Sequence, residues 1–107
     1  MNQQIDAGVA AKIGRFSDGV AIPAGARTLF ISGNVGINAE GVVPDDFVAQ
    51  AENAWANILA ILAEAGMGVE DLVKVNQFLV RKQDLVAYRE VRNRVLGEHL
   101  SASTLVF

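Results

Sequence analysis

Between residues 47 and 62 the apolar side chains fall at three- and four-residue intervals: Phe47, Val48, Ala51, Trp55, Ile58, Leu59 and Leu62. That spacing draws one apolar stripe down a helix, and the stripe must be buried. Pro44-Asp45-Asp46 opens the helix. Asp45 or Asp46 can cap it, and both place negative charge at its positive end. Gly66, after Ala65, supplies a left-handed cap at the other end. The helix predicted is about 18–20 residues long, two or three turns above the average. In a chain of 107 residues, everything else must be arranged to cover that stripe.

The remaining pattern predicts a layer for it to pack on. Residues 16–22 and 28–32 read as strands, with Pro23-Ala24-Gly25-Ala26 as the turn of a hairpin. Residues 33–41, with three glycines, read as a loop or a weak strand. Residues 72–80 are apolar on both faces, as in a central strand. Asp84 is placed to cap a second helix, with Leu85, Tyr88, Val91, Val95 and Leu96 inside and Gly97 as its stop. Glu90 and Arg94 can pair at i, i+4 on that helix. Residues 103–107 form the last strand. The order β-β-(β)-α-β-α-β predicts one α+β domain over residues 1–107, two helices on one face of a mixed sheet.

Composition bounds the partners. Half of the chain, 51%, is apolar, a surplus for a domain that buries roughly 65% of its unfolded surface. Such a surplus marks a subunit that hides apolar surface against copies of itself. Twelve acids against nine bases give a net charge of −3, which argues against nucleic-acid binding. With no cysteine, disulfide and thiolate chemistry are excluded, and one histidine is too few for a zinc site. No metal and no cofactor are expected. Residues 1–6 lack the basic and apolar regions of a signal peptide. The longest apolar run, 54–63, is broken by Asn57 and too short to span a bilayer. The expectation is a cytoplasmic protein with no membrane partner.

Chemistry is sparse. There is no phosphate-binding glycine loop, dinucleotide fingerprint or nucleophile elbow. Ser32-Gly33-Asn34 at a strand end can offer a hydroxyl and backbone N–H groups to a ligand, or simply stop the strand. His99 can serve as a general acid or base, or can satisfy a helix C-terminus. Arg81, Lys82, Arg89, Arg92 and Arg94 can bind phosphate or RNA, or form a solvated helix face with Asp84 and Glu90 as counterions. Trp55 reads as core or as a subunit contact.

Three segments together resemble one family. They are Ile13-Gly14-Arg15-Phe16-Ser17, Leu29-Phe30-Ile31-Ser32-Gly33-Asn34 and the tail from Glu98 through Ser103-Thr104. Gln50-Ala51-Glu52-Asn53-Ala54, the helix ending at Gly66, and the stretch from Val69-Glu70-Asp71 to Phe78-Leu79 add to the match. In order and spacing the chain resembles the Rid family (YjgF type, reactive-intermediate deaminases) from about Ile13 to Thr104. The resemblance implies a chorismate-mutase-like fold assembled as a homotrimer, with small ligands bound in clefts between subunits.

In deaminating members of that family an arginine holds the carboxylate of a 2-imino acid while water attacks the C=N carbon, and a glutamate on a final strand holds the water. A bidentate guanidinium–carboxylate pair suits that positioning role. Carried over by position, Phe16 stands for the family's tyrosine and Arg15 for its proline. Ser32, Gly33 and Asn34 fall on its Ser-Gly-Gln ligand turn, and Arg89 on a common asparagine. The carboxylate arginine is replaced by Ala102, next to Ser103, or in a shifted alignment by Leu100. The strand with the glutamate lies beyond Phe107. The resemblance therefore implies a trimer binding a small anionic metabolite at Arg15, Phe16, Ser32, Gly33, Asn34, Arg89, Ala102 and Ser103, with 2-imino acid deamination weak or lost. The alternatives are an imine or enamine deaminase of altered specificity and, from the basic residues 81–94, an RNA-acting protein of the translation-inhibitor type.

Overall fold

The computed structural model describes residues 1–107. Helix α1 runs Phe47–Glu64, within the predicted bounds, and Asp46 caps it by accepting a hydrogen bond from Ala49 N–H at 2.9 Å. At its other end Gly66 takes φ +73°. Met67 N–H then reaches Leu62 O at 2.8 Å and Gly66 N–H reaches Ala63 O at 3.0 Å, the paired bonds of a Schellman ending.

Helix α2 runs Leu85–Leu96 and ends at Gly97, where φ is +59°. Asp84 precedes it as predicted but makes no cap hydrogen bond. Its carboxylate turns back to Arg81 Nε at 3.1 Å instead. The predicted Glu90–Arg94 pair does not form either, because Arg94 reaches across to Glu52 of α1 at 3.0 Å.

The sheet is smaller and differently joined than the pattern predicts. Strands β1 (Gln3–Ile5) and β2 (Gly19–Ala21) form an antiparallel ribbon, with Gln4 opposite Val20. Strands β3 (Lys74–Phe78) and β4 (Ala102–Val106) form a parallel one, with Asn76 opposite Thr104. A single bridge, Ser17 to Ala102, links the two ribbons. The partner of β2 is thus the N-terminal segment, not residues 28–32.

Residues 22–46 hold neither helix nor strand. The reason lies on α1. Asn57 Nδ2 donates to Val35 O at 3.4 Å and Ile37 O at 3.0 Å, Asn53 Nδ2 donates to Gly36 O, and Arg27 Nη2 donates to Ala65 O. The two asparagines take up carbonyls of residues 35–37 and Arg27 reaches the end of the helix, so the chain on either side of the predicted strand 28–32 is tied along α1. We call this stretch the belt.

Gly36 is where the belt comes nearest to α1. A Cβ there would overlap the Gln50 backbone, lying 2.5 Å from its Cα. Gly36→Ala is expected to cost about 1–3 kcal/mol by overpacking. That is a fall in Tm of about 4–8 °C per kcal/mol for a domain this size. An unchanged melting curve by circular dichroism would show that the belt is not seated as described.

The core joins α1, α2 and the inner face of β3–β4. Ala51, Trp55 and Leu62 meet Tyr88, Val91 and Leu96, with Leu72 and Leu79 on the strand side. Each such large apolar side chain contributes roughly 1.5–3 kcal/mol on burial. Both helices therefore lie on one face of the β3–β4 ribbon, as predicted. The other face is bare: Phe78 is 78% and Val80 95% exposed. Residues 72–80 are thus not covered on both sides within the chain, contrary to the central-strand reading.

Candidate functional site

The turn at residues 13–17 sits where the two ribbons meet. Ser17 fixes it, its N–H donating to Ser101 O at 3.0 Å and its hydroxyl to Leu100 O. Asp18 fixes the approach, accepting from Ala7 N–H at 2.6 Å and Ala10 N–H at 2.8 Å. The Ala7 amide, followed by other backbone amides, holds this carboxyl below its usual range. Arg15 then projects over the end of α2, and its Nη2 donates to Gly97 O at 2.6 Å.

Gly14, Arg15 and Phe16 separate two clefts. The larger, about 520 Å³, contains Asp6, Asp18 and Glu98 besides Arg15. Asp6 and Asp18 are engaged by backbone amides of their own loop, so they hold the turn rather than offer a site. The smaller, about 300 Å³, gathers Arg15, Phe16, Arg89, Arg92 and Ser103 between the apolar side chains of Leu85, Leu105 and Phe107. Small-molecule sites begin at about this volume.

Three arginines line this smaller cleft, and none of them has a carboxylate within 4.0 Å; the chain's ion pairs are Arg81–Asp84 and Arg94–Glu52. Arg92 is only 7% exposed, and its guanidinium donates only to Asn93 Oδ1, at 3.2–3.3 Å. Burial first, and then the neighbouring charges of Arg89 and Arg15, bring its pKa down, with Tyr88 opposing. An arginine stays protonated regardless, so the cleft holds fixed positive charge.

Ser103 is set in place by a buried chain of hydrogen bonds. Tyr88 O–H donates to Gln77 Oε1 at 2.7 Å, and Gln77 Nε2 donates to Ser103 Oγ at 2.7 Å. With its oxygen accepting from Gln77, the Ser103 hydroxyl keeps its own proton to donate. Burial pushes the Tyr88 phenol up to about 12.

Of the residues singled out in the sequence, the structure thus brings together Arg15, Phe16, Arg89 and Ser103. Ser32, Gly33 and Asn34 line neither of these clefts, and Asn34 Nδ2 closes onto Ser32 O at 2.9 Å. Ala102 lines neither, being held in β4 opposite Lys74, while Leu100 lines the larger cleft. His99 is a structural tie, its Nε2 2.8 Å from Leu72 O. Arg92 also lines the smaller cleft; the sequence offered it only within the basic group 81–94, as a phosphate or RNA contact or a solvated helix face. Its signal was a charge three residues beyond Arg89, lodged between the inward-facing Val91 and Val95. No group of side chains is arranged to hold a metal ion, and no helix is long and apolar enough to cross a membrane.

Comparison with known proteins adds context to this geometry. The model of a family described as endoribonuclease L-PSP matches residues 8–106. A RutC family protein of Pyrococcus abyssi is 31% identical over 96 residues, covering 88% of this chain and 73% of that one. A Rid-family protein of unknown function from Yersinia pestis superposes with a TM-score of 0.82 at 26% identity, over 97% of this chain and 83% of the other. Escherichia coli TdcF, named as a reactive intermediate deaminase, is 30% identical over 88 residues, which are 81% of this chain and 66% of TdcF. Its crystal structure with bound serine superposes with a TM-score of 0.67 at 27% identity, over 88% of this chain and 76% of that one. Against three of the curated relatives it matches, the chain spans 73%, 62% and 53% of their length.

Proposed function

The chain belongs to the Rid family, whose model is described as endoribonuclease L-PSP, and on that premise we propose that it binds a small anionic metabolite in the cleft of Arg15, Arg89 and Arg92. One observation carries the reading: three guanidiniums face one small cleft with no carboxylate of the chain to neutralise them. Arg92 is a buried charge without a carboxylate partner, which is costly, and an anionic ligand shared with the exposed Arg15 and Arg89 is the partner that relieves it. Phe16 and Ser103 complete the cleft, one as an apolar wall, the other as a hydroxyl donor.

We take the working form to be a homotrimer. The bare face bearing Phe78 and Val80, and Phe30 at 91% exposure, give it apolar surface to bury. In this reading Ser32, Gly33 and Asn34 meet the ligand, if at all, across a subunit boundary. Sedimentation at micromolar concentration checks the assembly, and a monomer would remove it.

Deamination of 2-imino acids is weak or lost in this reading. Ala102 and Leu100 stand where a carboxylate-holding arginine is needed, and loss of a positioning group costs 10²-fold or more. Ammonia release from 2-imino acids generated in place by an amino-acid oxidase is expected to match buffer alone. A rate well above buffer would favour the second reading, an imine deaminase that holds its substrate through Arg15 or Arg89. TdcF, named as a deaminase and crystallised with serine, makes that reading worth the assay. The RNA-acting reading is not supported, because Arg81 and Arg94 are ion-paired and Arg15, Arg89 and Arg92 line a concave cleft rather than an open basic face.

A further inference from the structure

We infer that the ligand of the arginine cleft is a small dianion, with one anionic group held by Arg15 and a second by the Arg89–Arg92 pair on α2. The inference rests on the anion-site reading above and adds the charge of the ligand. Arg15 enters from the turn at residues 13–17, anchored on Gly97 O at the end of α2. Arg89 and Arg92 enter from one face of α2, three residues apart. A single carboxylate on Arg15 would leave the two guanidiniums of the pair side by side in a small cleft without a counterion. The Arg89 guanidinium makes no hydrogen bond within the chain, and that of Arg92 donates only to the neutral Asn93. The Arg89 fork is therefore free to receive an oxyanion in the planar, two-bond manner of guanidinium recognition, and Arg92, its Nε and Nη2 on Asn93 Oδ1, adds its charge and remaining N–H groups beside it.

Besides the arginines, the cleft is lined by the apolar side chains of Phe16, Leu85, Leu105 and Phe107. A short carbon skeleton carrying two anionic groups matches that lining. The shared chemistry is two negative charges on a small organic acid, as in a dicarboxylate or a phosphorylated monocarboxylate.

Calorimetry against three probes tests this: 2-oxobutanoate as the monoanion, 2-oxoglutarate as the dicarboxylate, and phosphoglycolate as the phosphorylated acid. The dianions are expected to bind at least tenfold more tightly than 2-oxobutanoate. Whichever of the two binds more tightly identifies the second group as carboxylate or phosphate. Arg92→Gln should bring that ratio close to one. Because Arg92 is buried and the variant can misfold, Arg89→Gln at an exposed position is measured beside it and should cut the same preference several-fold. If 2-oxobutanoate binds and the dianions bind no better, the dianion inference is overturned while the anion site stands. If none of the three binds, the anion site itself is overturned.

Discussion

Titration of Arg15→Ala with 2-oxobutanoate is expected to show binding weakened at least tenfold, to the limit of detection. A charge-assisted pair of guanidinium and carboxylate is worth about 1.5–3 kcal/mol, or roughly 10- to 150-fold in affinity. Only one donor of Arg15 is committed, Nη2 on Gly97 O, so the rest of the fork is available to a ligand. Arg15→Lys separates charge from shape. It keeps the cation but loses the planar fork, so its affinity should fall between those of the two other proteins. Loss of the Gly97 contact is checked by the helical circular dichroism of each variant. Unchanged affinity in a folded Arg15→Ala protein would move the site away from this cleft.

The second large effect is alkaline. Tyr88 is the only tyrosine in the chain, so phenolate absorbance reports it alone. In urea it should ionise near the ordinary value of about 10. In the folded protein burial pushes it up to about 12. The sign follows from linkage: the folded state favours the neutral phenol, so its contribution is full below pH 10 and is lost as the pH rises through 12. Two units correspond to about 2–3 kcal/mol. Urea unfolding between pH 9 and pH 12 should therefore show stability falling by that order.

In Tyr88→Phe the alkaline slope should flatten, while stability at pH 7 drops by about 1–3 kcal/mol because Gln77 Oε1 loses its donor. A native phenol that titrates near 10 would mean that the hydrogen-bond chain from Tyr88 to Ser103 is open to water. Ser103 would then be free to turn away from the cleft.

Local rules made the helices legible in the sequence. The stripe from Phe47 to Leu62, the Asp46 cap and the Gly66 ending are all set by neighbours three or four residues away, and all three are present. The same holds for Leu85, Tyr88, Val91 and Leu96 on α2. Strand pairing is non-local, and there the pattern misled. Residues 28–32 have the composition of a strand, but the chain on either side is tied to α1, by Arg27 to Ala65 O and by Asn53 and Asn57 to residues 36 and 37, through side-chain bonds that no windowed reading of hydropathy registers.

The site was half legible. Arg15, Phe16 and Arg89 were found through family resemblance, and Ser103 by its place beside the missing arginine. Arg92 was named only within the basic group 81–94, because its place in the cleft is spatial. Only folding puts the end of the turn at residues 13–17 against that face of α2.

The belt has a consequence for how this protein opens. Residues 22–46 are fastened to α1 chiefly by side-chain amides and one guanidinium, with Gly36 as their buried residue. None of the five cleft residues lies in it. The belt can therefore lift and exchange its amide protons at a free energy well below that of global unfolding, while the arginine cleft stays assembled. The chain is in effect two tiers, a ligand-binding block and a detachable wrap, and ligand should slow exchange most at residues 13–17 and along α2.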